Sequence, residues 1–344
     1  MSGLLPREDP IGRLPILILY PHTRCNCRCV MCDIWKVTTR DEVAPEQVEA
    51  WLPELRALGV RRVVLSGGEA LLHSRLREIC DLLVEAGIGI TLISTGLLLE
   101  RDASWLVERC DDVVVSLDGP GELHNQIRRI PTAWEKLARG VRAVRAADPA
   151  RRVRVSGRCT VQRMNHHALR ATVAAAREIG LDGISFLAAD VSSEAFNRPG
   201  GWSAERVGEV ALAPAELSAL AAELDALEAE HAADFTSGFI VEDPTKLRTR
   251  LLSYYAGLLG QEELVAPQCN APWVSTVIET DGTVRPCFFQ PPLGNARTAG
   301  GIGAVLNSPQ ARAWREGLDV SRNEICRRCV CSLALRDPAG PAAD

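Results

Sequence analysis

Residues 16–32 read ILILYPHTRCNCRCVMC, five apolar or aromatic residues that run into a loop holding four cysteines. A short continuous apolar run bounded by turn residues suits a strand buried on both faces, and such strands belong to parallel sheets. Five more runs of this kind follow, at 63–66, 90–94, 113–117, 153–161 and 184–187. Helical patterns lie between them at 45–58, 74–86, 102–110, 132–146 and 165–179. In the second of these Leu76, Ile79, Leu82, Leu83 and Ala86 recur at three- and four-residue spacing and form one apolar stripe. Gly59, Gly87 and Gly180 follow three of the patterns, as a helix C-terminus prefers. Six βα units with right-handed crossovers make a curved parallel sheet or an incomplete barrel, and a full eight-unit barrel would need two further strands. The expected fold class is therefore α/β, an incomplete (β/α)6 barrel. Beyond residue 187 the alternation stops. A loop with Pro-Gly-Gly at 199–201, a helix at 214–231 and a helical stretch at 246–259 come next. A β-hairpin follows at 275–289, where Asp281-Gly282 calls for a type I′ turn. A short helix at 309–317 precedes Cys326.

The whole chain is 344 residues, 47% hydrophobic and 24% charged, enough for one large α/β core with an appendage and unlike a disordered or fibrous protein. A net charge of −5 argues against a partner that must be gripped by its phosphates, so no nucleic acid is expected. The apolar runs are too short to span a bilayer, and residues 1–13 carry two prolines and acidic residues where a signal peptide needs an apolar core. The expectation is a cytoplasmic protein with no membrane partner. Of twelve cysteines, four fall between Cys25 and Cys32 and five between Cys269 and Cys331, with Cys80, Cys110 and Cys159 in the long stretch between. Two dense clusters in a reducing compartment point to metal rather than to disulfides.

Cys25, Cys29 and Cys32 are separated by three and two residues. Three thiolates so spaced wrap one face of a [4Fe–4S] cube and leave the fourth iron without a protein ligand, as a cluster that binds a substrate requires. This CxxxCxxC spacing after the first strand, with Ser66-Gly67-Gly68-Glu69 after the second, resembles the radical S-adenosylmethionine (SAM) superfamily. The resemblance implies that Gly67, Gly68 and Glu69 receive the SAM amino group, since glycines let a ligand approach the backbone closely. The residue before the third cysteine is usually aromatic in that family and is Met31 here, a soft side chain suited to the adenine face. The resemblance also places Ser94 and Ser116, at the ends of strands three and four, against the methionine and ribose of SAM. Arg158 in strand five grips the SAM carboxylate if it points into the barrel and is solvated if it points outward. Asp118 is either a ligand or a turn residue before Gly119, and Ala188-Ala189-Asp190 falls where the family packs adenine. Cys27 reads as a bystander pointing away from the cluster.

In the tail, twelve residues separate Cys269 from Gly282 and four more precede Cys287, and Cys326-Arg-Arg-Cys329-Val-Cys331 follows. Two thiol pairs, one of them CxxC, also suit a zinc site. Beside a radical SAM core the segment resembles the SPASM domain in its shortened twitch form. The implied ligands of one auxiliary [4Fe–4S] cluster are Cys269, Cys287, Cys326 and Cys329, with Cys331 spare or standing in for Cys329. The domain organisation expected is a partial barrel at 1–190, a helical connector at 191–264, an auxiliary-cluster domain at 265–337 closing over the barrel mouth, and a disordered tail at 338–344.

The cofactors implied are two [4Fe–4S] clusters and SAM, with an electron donor such as flavodoxin or ferredoxin as partner. In the family the reduced cluster cleaves SAM to a 5′-deoxyadenosyl radical, which takes a hydrogen atom from the substrate. Only 24 residues precede Cys25, which leaves no room for the leader-binding domain that peptide-modifying relatives often carry. The expected substrate is a small molecule such as a sugar, aminocyclitol or nucleoside intermediate, undergoing dehydrogenation, epimerisation or decarboxylation. The alternatives are a peptide or protein maturase and, from another class, a non-catalytic iron–sulfur or zinc protein. His22 either approaches the substrate or caps the loop, and His166-His167 read as solvated. Phe196, Trp202, Phe288 and Phe289 line a pocket or fill core, and Cys80, Cys110 and Cys159 read as packing residues.

Overall fold

The computed structural model describes residues 4–297 and 300–336. The tail expected at 338–344 and the last residue of the 265–337 segment lie outside the described residues. The strands are β1 (Ile16–Leu19), β2 (Arg62–Leu65), β3 (Gly89–Ser94), β4 (Asp112–Ser116), β5 (Arg154–Val161), β6 (Ile184–Ala188), β7 (Ser275–Ile278), β8 (Thr283–Arg285) and β9 (Gly294–Asn295). The main helices are α1 (Pro45–Ala57), α2 (Leu76–Glu85), α3 (Leu99–Arg109), α4 (Gly121–Arg128), α5 (Ala133–Ala147), α6 (Leu169–Glu178), α7 (Ala204–Val210) and α8 (Leu217–Glu230). The chain forms two compact units. One holds residues 4–23, Thr39–Ile90 and 266–336, and the other holds Arg24–Thr38 and Thr91–Val265. Among the described residues no helix is long and apolar enough to cross a membrane.

In the first unit the strand order is β2-β1-β7-β8-β9. β1 pairs in parallel with β2, Ile16 opposite Arg62, and with β7, Ile16 opposite Ser275. The C-terminal hairpin thus joins the sheet at the side of β1. Its turn differs from the two-residue type I′ expected. The Glu279 N–H donates to the Thr283 carbonyl at 2.9 Å, which leaves Thr280, Asp281 and Gly282 as a three-residue loop. Such loops end in a left-handed residue, and Gly282 takes that place with φ +89. Leu5, Trp273, Val274, Leu318 and Val320 form a buried core against which Cys269 and Cys326 pack.

In the second unit β6-β5-β4-β3 run parallel, with Thr91 opposite Asp112, Asp112 opposite Arg154 and Gly157 opposite Ile184. The apolar runs suggested burial on both faces, yet burial alternates along these strands. Val113, Val115, Val155, Cys159, Val161, Ile184 and Phe186 are buried, whereas Ser116, Ser156, Thr160 and Ser185 are half-buried and Arg158 is exposed. Every second residue is less buried, among them Ile93, Val114 and Leu187 as well as serines, Thr160 and Arg158, so one face of the sheet is sealed more fully than the other. α3 and α5 pack closely because a Cβ on Gly140 would fall 2.7 Å from the Cβ of Leu99. α4, absent from the periodicity reading, is closed by Arg129 in the left-handed region at φ 53. The helix expected from 165 begins at Leu169, because Asn165 is spent on the preceding turn: its Oδ1 accepts the Gln162 N–H at 2.7 Å. His166 is buried rather than solvated, with Nδ1 2.8 Å from the Arg163 carbonyl, and His167 is exposed.

Candidate metal centres

The loop from Cys25 to Cys32 belongs to the second unit and has little regular structure, so its shape depends on what holds it. The Arg28 N–H donates to the Arg128 carbonyl at 3.2 Å and the Val30 N–H to the Ile127 carbonyl at 3.0 Å, which lays the loop along the end of α4. Thr95, just after β3, donates its hydroxyl to the Asn26 side chain at 3.0 Å. Asp33, directly after Cys32, accepts from the Trp202 indole at 2.7 Å and pairs with Lys36 at 2.9 Å. These ties fix the three cysteines without any of them lying in a helix or strand.

Cys29 is the most strongly supported thiolate of the loop. The Cys27 thiol hydrogen-bonds to its sulfur and the Arg128 guanidinium adds positive charge, which together outweigh burial and bring its pKa down to about 6. Cys27 is buried and its thiol hydrogen-bonds to the Cys29 sulfur. Its bond to Cys29, with burial, holds its own proton on far above the ordinary thiol range. Burial and the neighbouring Cys29 push Cys32 up to about 12, while the Ile34 N–H reaches its sulfur at 3.5 Å. N–H groups aimed at cysteine sulfur are the usual surroundings of iron-bound thiolates. A cavity of about 460 Å³, with Cys25, Asn26, Cys27, Arg28, Trp35 and Arg129 in its wall, gives room beside the loop for a group larger than one ion. Among the described residues no three His, Cys, Asp or Glu side chains converge as ligands of a single metal ion. A four-iron cube does not ask for that convergence, because each thiolate binds a separate iron. The donor set fits a cluster held by Cys25, Cys29 and Cys32.

Behind Cys29 stands a buried polar group that sequence reading did not assemble. Arg128 Nη1 donates to the Cys29 sulfur at 3.4 Å and Nη2 pairs with Asp118 Oδ2 at 2.6 Å. The second Asp118 oxygen accepts the Thr160 N–H at 2.9 Å, and the Asp118 carbonyl accepts from Asn165 at 2.9 Å. Burial and Arg128 lower His124 to about 3, so it is neutral and its Nδ1 accepts the Asp118 N–H at 3.2 Å. Asp118 is therefore bound up within the protein rather than marking a surface turn. The signal was present in the chain: His124 and Arg128 are four apart and share one face of α4.

The other expected SAM contacts divide between the units. Gly67 and Glu69 lie in the first. Gly67 has φ +92, and a Cβ there would fall 2.8 Å from Tyr20 Cγ. Glu69 is fully buried, and its Oε1 accepts the Leu71 N–H at 3.1 Å, capping the short helix Ala70–Leu72. Gly68 lies between them in the same turn. In the second unit Met31 is buried, Ser94 accepts the Gly96 N–H at 3.0 Å, and Ser116 and Arg158 are direct partners across β4 and β5. Both are on the less buried face of the sheet, where Arg158 Nε reaches Ser185 at 3.4 Å. Asp190 is paired with the fully buried Arg198 at 3.0 Å. His22 pairs with Glu42 at 3.4 Å and packs edge-on to His73, an arrangement that ties the strand end to its neighbours in the first unit.

In the tail Cys287 is pushed up to about 12, chiefly by burial, with the charges of Cys269 and Cys326 adding to the rise. The Ala271 N–H donates to Cys269 at 3.4 Å and the Gln290 amide to Cys326 at 3.4 Å. The same N–H to sulfur pattern recurs here and fits thiolate ligands of a second cluster. Cys329 follows Cys326 by one turn, and its thiol donates to the Cys331 carbonyl at 2.8 Å. Cys80, Cys110 and Cys159 are buried, and the Cys159 sulfur lies 3.6 Å from the Asn165 amide that also serves the Asp118 carbonyl.

Residues 19–182 match the Radical SAM superfamily, and residues 269–330 match SPASM, an iron–sulfur cluster-binding domain. Among curated proteins the chain is 28% identical over 175 residues to an AdoMet-dependent heme synthase of Methanosarcina barkeri, covering 48% of each. It is 33% identical over 159 residues to a GTP 3′,8-cyclase of Rhodopseudomonas palustris, covering 42% of this chain and 45% of that protein. The chain thus spans just under half the length of these relatives. Among solved structures, Streptococcus suis SuiB bound to S-adenosylmethionine superposes with a TM-score of 0.64 at 15% identity, over 94% of this chain and 73% of that one. SuiB is also known bound to the precursor peptide SuiA. At such identity the likeness is one of fold, and it agrees with an unclosed α/β partial barrel.

Proposed function

Since the chain belongs to the radical SAM superfamily and carries a C-terminal SPASM iron–sulfur domain, we propose that this enzyme abstracts a hydrogen atom from a small-molecule substrate. The observation that supports this class is the chemistry named for its sequence relatives, a heme synthase and a GTP cyclase, both of which concern small molecules. A nucleoside or sugar intermediate fits within that class.

The [4Fe–4S] cluster and SAM, when bound, supply one-electron cleavage of SAM and the hydrogen-abstracting power that follows from it. The protein's part is positioning and exclusion of water. Cys25, Cys29 and Cys32 are assigned to the SAM-binding cluster. Gly67, Gly68, Glu69, Met31, Ser94, Ser116 and Arg158 are assigned to SAM. For Arg158 the support is its place beside Ser116 on the less buried face of the sheet, where a planar fork can meet a carboxylate. Cys269, Cys287, Cys326 and Cys329 are assigned to one auxiliary cluster, with Cys331 spare. The segments 1–190, 191–264 and 265–337 are taken as the barrel, connector and auxiliary domain. The enzyme needs a reductant, and flavodoxin or ferredoxin is the proposed donor. Free cysteines throughout suit a reducing cytoplasm.

The test is incubation of reconstituted enzyme with SAM, reductant and deuterium-labelled candidates, following label into 5′-deoxyadenosine. Label from a nucleoside or sugar supports the reading. Label arriving only from a ribosomal peptide would replace it with a peptide maturase.

A further inference from the structure

Cys29 shares one cation with one carboxylate. Arg128 places Nη1 3.4 Å from the Cys29 sulfur and Nη2 2.6 Å from Asp118, with side chains 8% and 0% exposed. A buried ion pair is a weak source of stability, because desolvation offsets most of its attraction. Here the pair does something a pair of apolar residues could not do: it aims a guanidinium N–H at a sulfur. The carboxylate that pairs with the fork is itself held by the Thr160 N–H at 2.9 Å, and the Asp118 backbone carbonyl accepts from Asn165. Arginine suits the task because its two Nη groups can serve two acceptors at once, which a lysine ammonium cannot do with fixed geometry.

We propose that Arg128 is a positioning residue which, anchored by Asp118, sets the reduction potential of the SAM-binding cluster through the Cys29 sulfur. The proposal rests on the assignment of Cys29 as an iron ligand. Adding an electron makes the cluster and its thiolates more negative. A positive charge and an N–H bond at one sulfur favour that state and raise the potential, as hydrogen bonding to cluster sulfurs does generally. Asp118 opposes this by drawing charge from the same guanidinium. The two residues therefore act with opposite signs.

The experiment is an EPR-monitored redox titration of the full-length protein, reconstituted anaerobically with both clusters. The SAM-binding cluster is identified as the signal that changes on adding SAM. Arg128→Met should lower its midpoint potential, Asp118→Asn should raise it, and Arg128→Lys should fall between wild type and Arg128→Met. The signal that does not respond to SAM should stay at its wild-type potential in all three. A merely structural role would not give opposite shifts at one cluster only. Wild-type potentials in variants that keep their iron, or shifts of one sign in Arg128→Met and Asp118→Asn, would overturn the proposal. Should Arg128→Met fail to hold iron, Arg128→Lys and Asp118→Asn carry the same test, down for the first and up for the second. Cys29→Ala separates the two levels of the argument. It should lose about half the iron of wild type, since one of two four-iron clusters goes. Full iron in Cys29→Ala would sink the ligand assignment itself.

Discussion

Gly67 stands so close to Tyr20 that a Cβ at that position would lie 2.8 Å from the ring carbon Cγ. The turn after β2 is thus shaped by contact with the end of β1 before any ligand is considered. Gly67 also has φ +92, a conformation that side chains rarely adopt.

Gly67→Ala should therefore destabilise the protein on two counts, backbone strain and overpacking against Tyr20. Together these amount to about 3 kcal/mol. Urea unfolding of the apoprotein reads this directly. A stability equal to wild type would show that the turn can shift at no cost.

The tail cysteines should sort by their neighbours. Cys269→Ala, Cys287→Ala and Cys326→Ala remove three of the proposed ligands, and each should weaken the auxiliary cluster while SAM cleavage stays detectable. Cys329→Ala should do the same, and Cys331→Ala should leave iron near wild type. Iron analysis of the five variants checks this. Loss in Cys331→Ala with retention in Cys329→Ala would exchange the two assignments.

His124 carries a pH signature. Its folded pKa is lowered from 6.5 to about 3, so between these values the unfolded chain binds a proton that the folded chain does not. Stability from this group is present above pH 6.5 and is lost as pH falls toward 3. Unfolding free energy measured from pH 7.5 down to 5 should fall more steeply in wild type than in His124→Gln. The difference should approach the slope of one proton, about 1.4 kcal/mol per pH unit. Parallel curves would mean that His124 takes up its proton in the folded protein as readily as in the unfolded chain.

The cysteines proposed as cluster ligands were legible as two groups because their spacing is local. Cys25, Cys29 and Cys32 form one loop, and Cys326 and Cys329 one turn, so sequence distance approximates spatial distance. Arg128 was not legible, because it is 99 positions from Cys29 and stands beside a second arginine at 129 that is exposed. Only α4 brings it inward, and α4 itself was missed since its buried face consists of His124, Asn125, Ile127 and Arg128, mostly polar residues that show no apolar periodicity. The strands were found but their environment was misread. Valine and isoleucine runs look alike whether one face or two are sealed, and Ile93, Val114 and Leu187 on the less buried face show that residue type alone does not settle it. The Asp-Gly signal found the hairpin at the right place but not its loop length. Gly282 can serve either turn, and the choice follows from the pairing of Glu279 with Thr283.

The most direct measurement is formation of 5′-deoxyadenosine from SAM by the reconstituted, reduced protein and by a variant with Cys25, Cys29 and Cys32 all replaced by alanine. The account predicts that the wild type produces 5′-deoxyadenosine and methionine together, and that the variant keeps its auxiliary iron but produces neither. Continued 5′-deoxyadenosine formation by the triple variant would contradict the assignment of these three cysteines to the catalytic cluster.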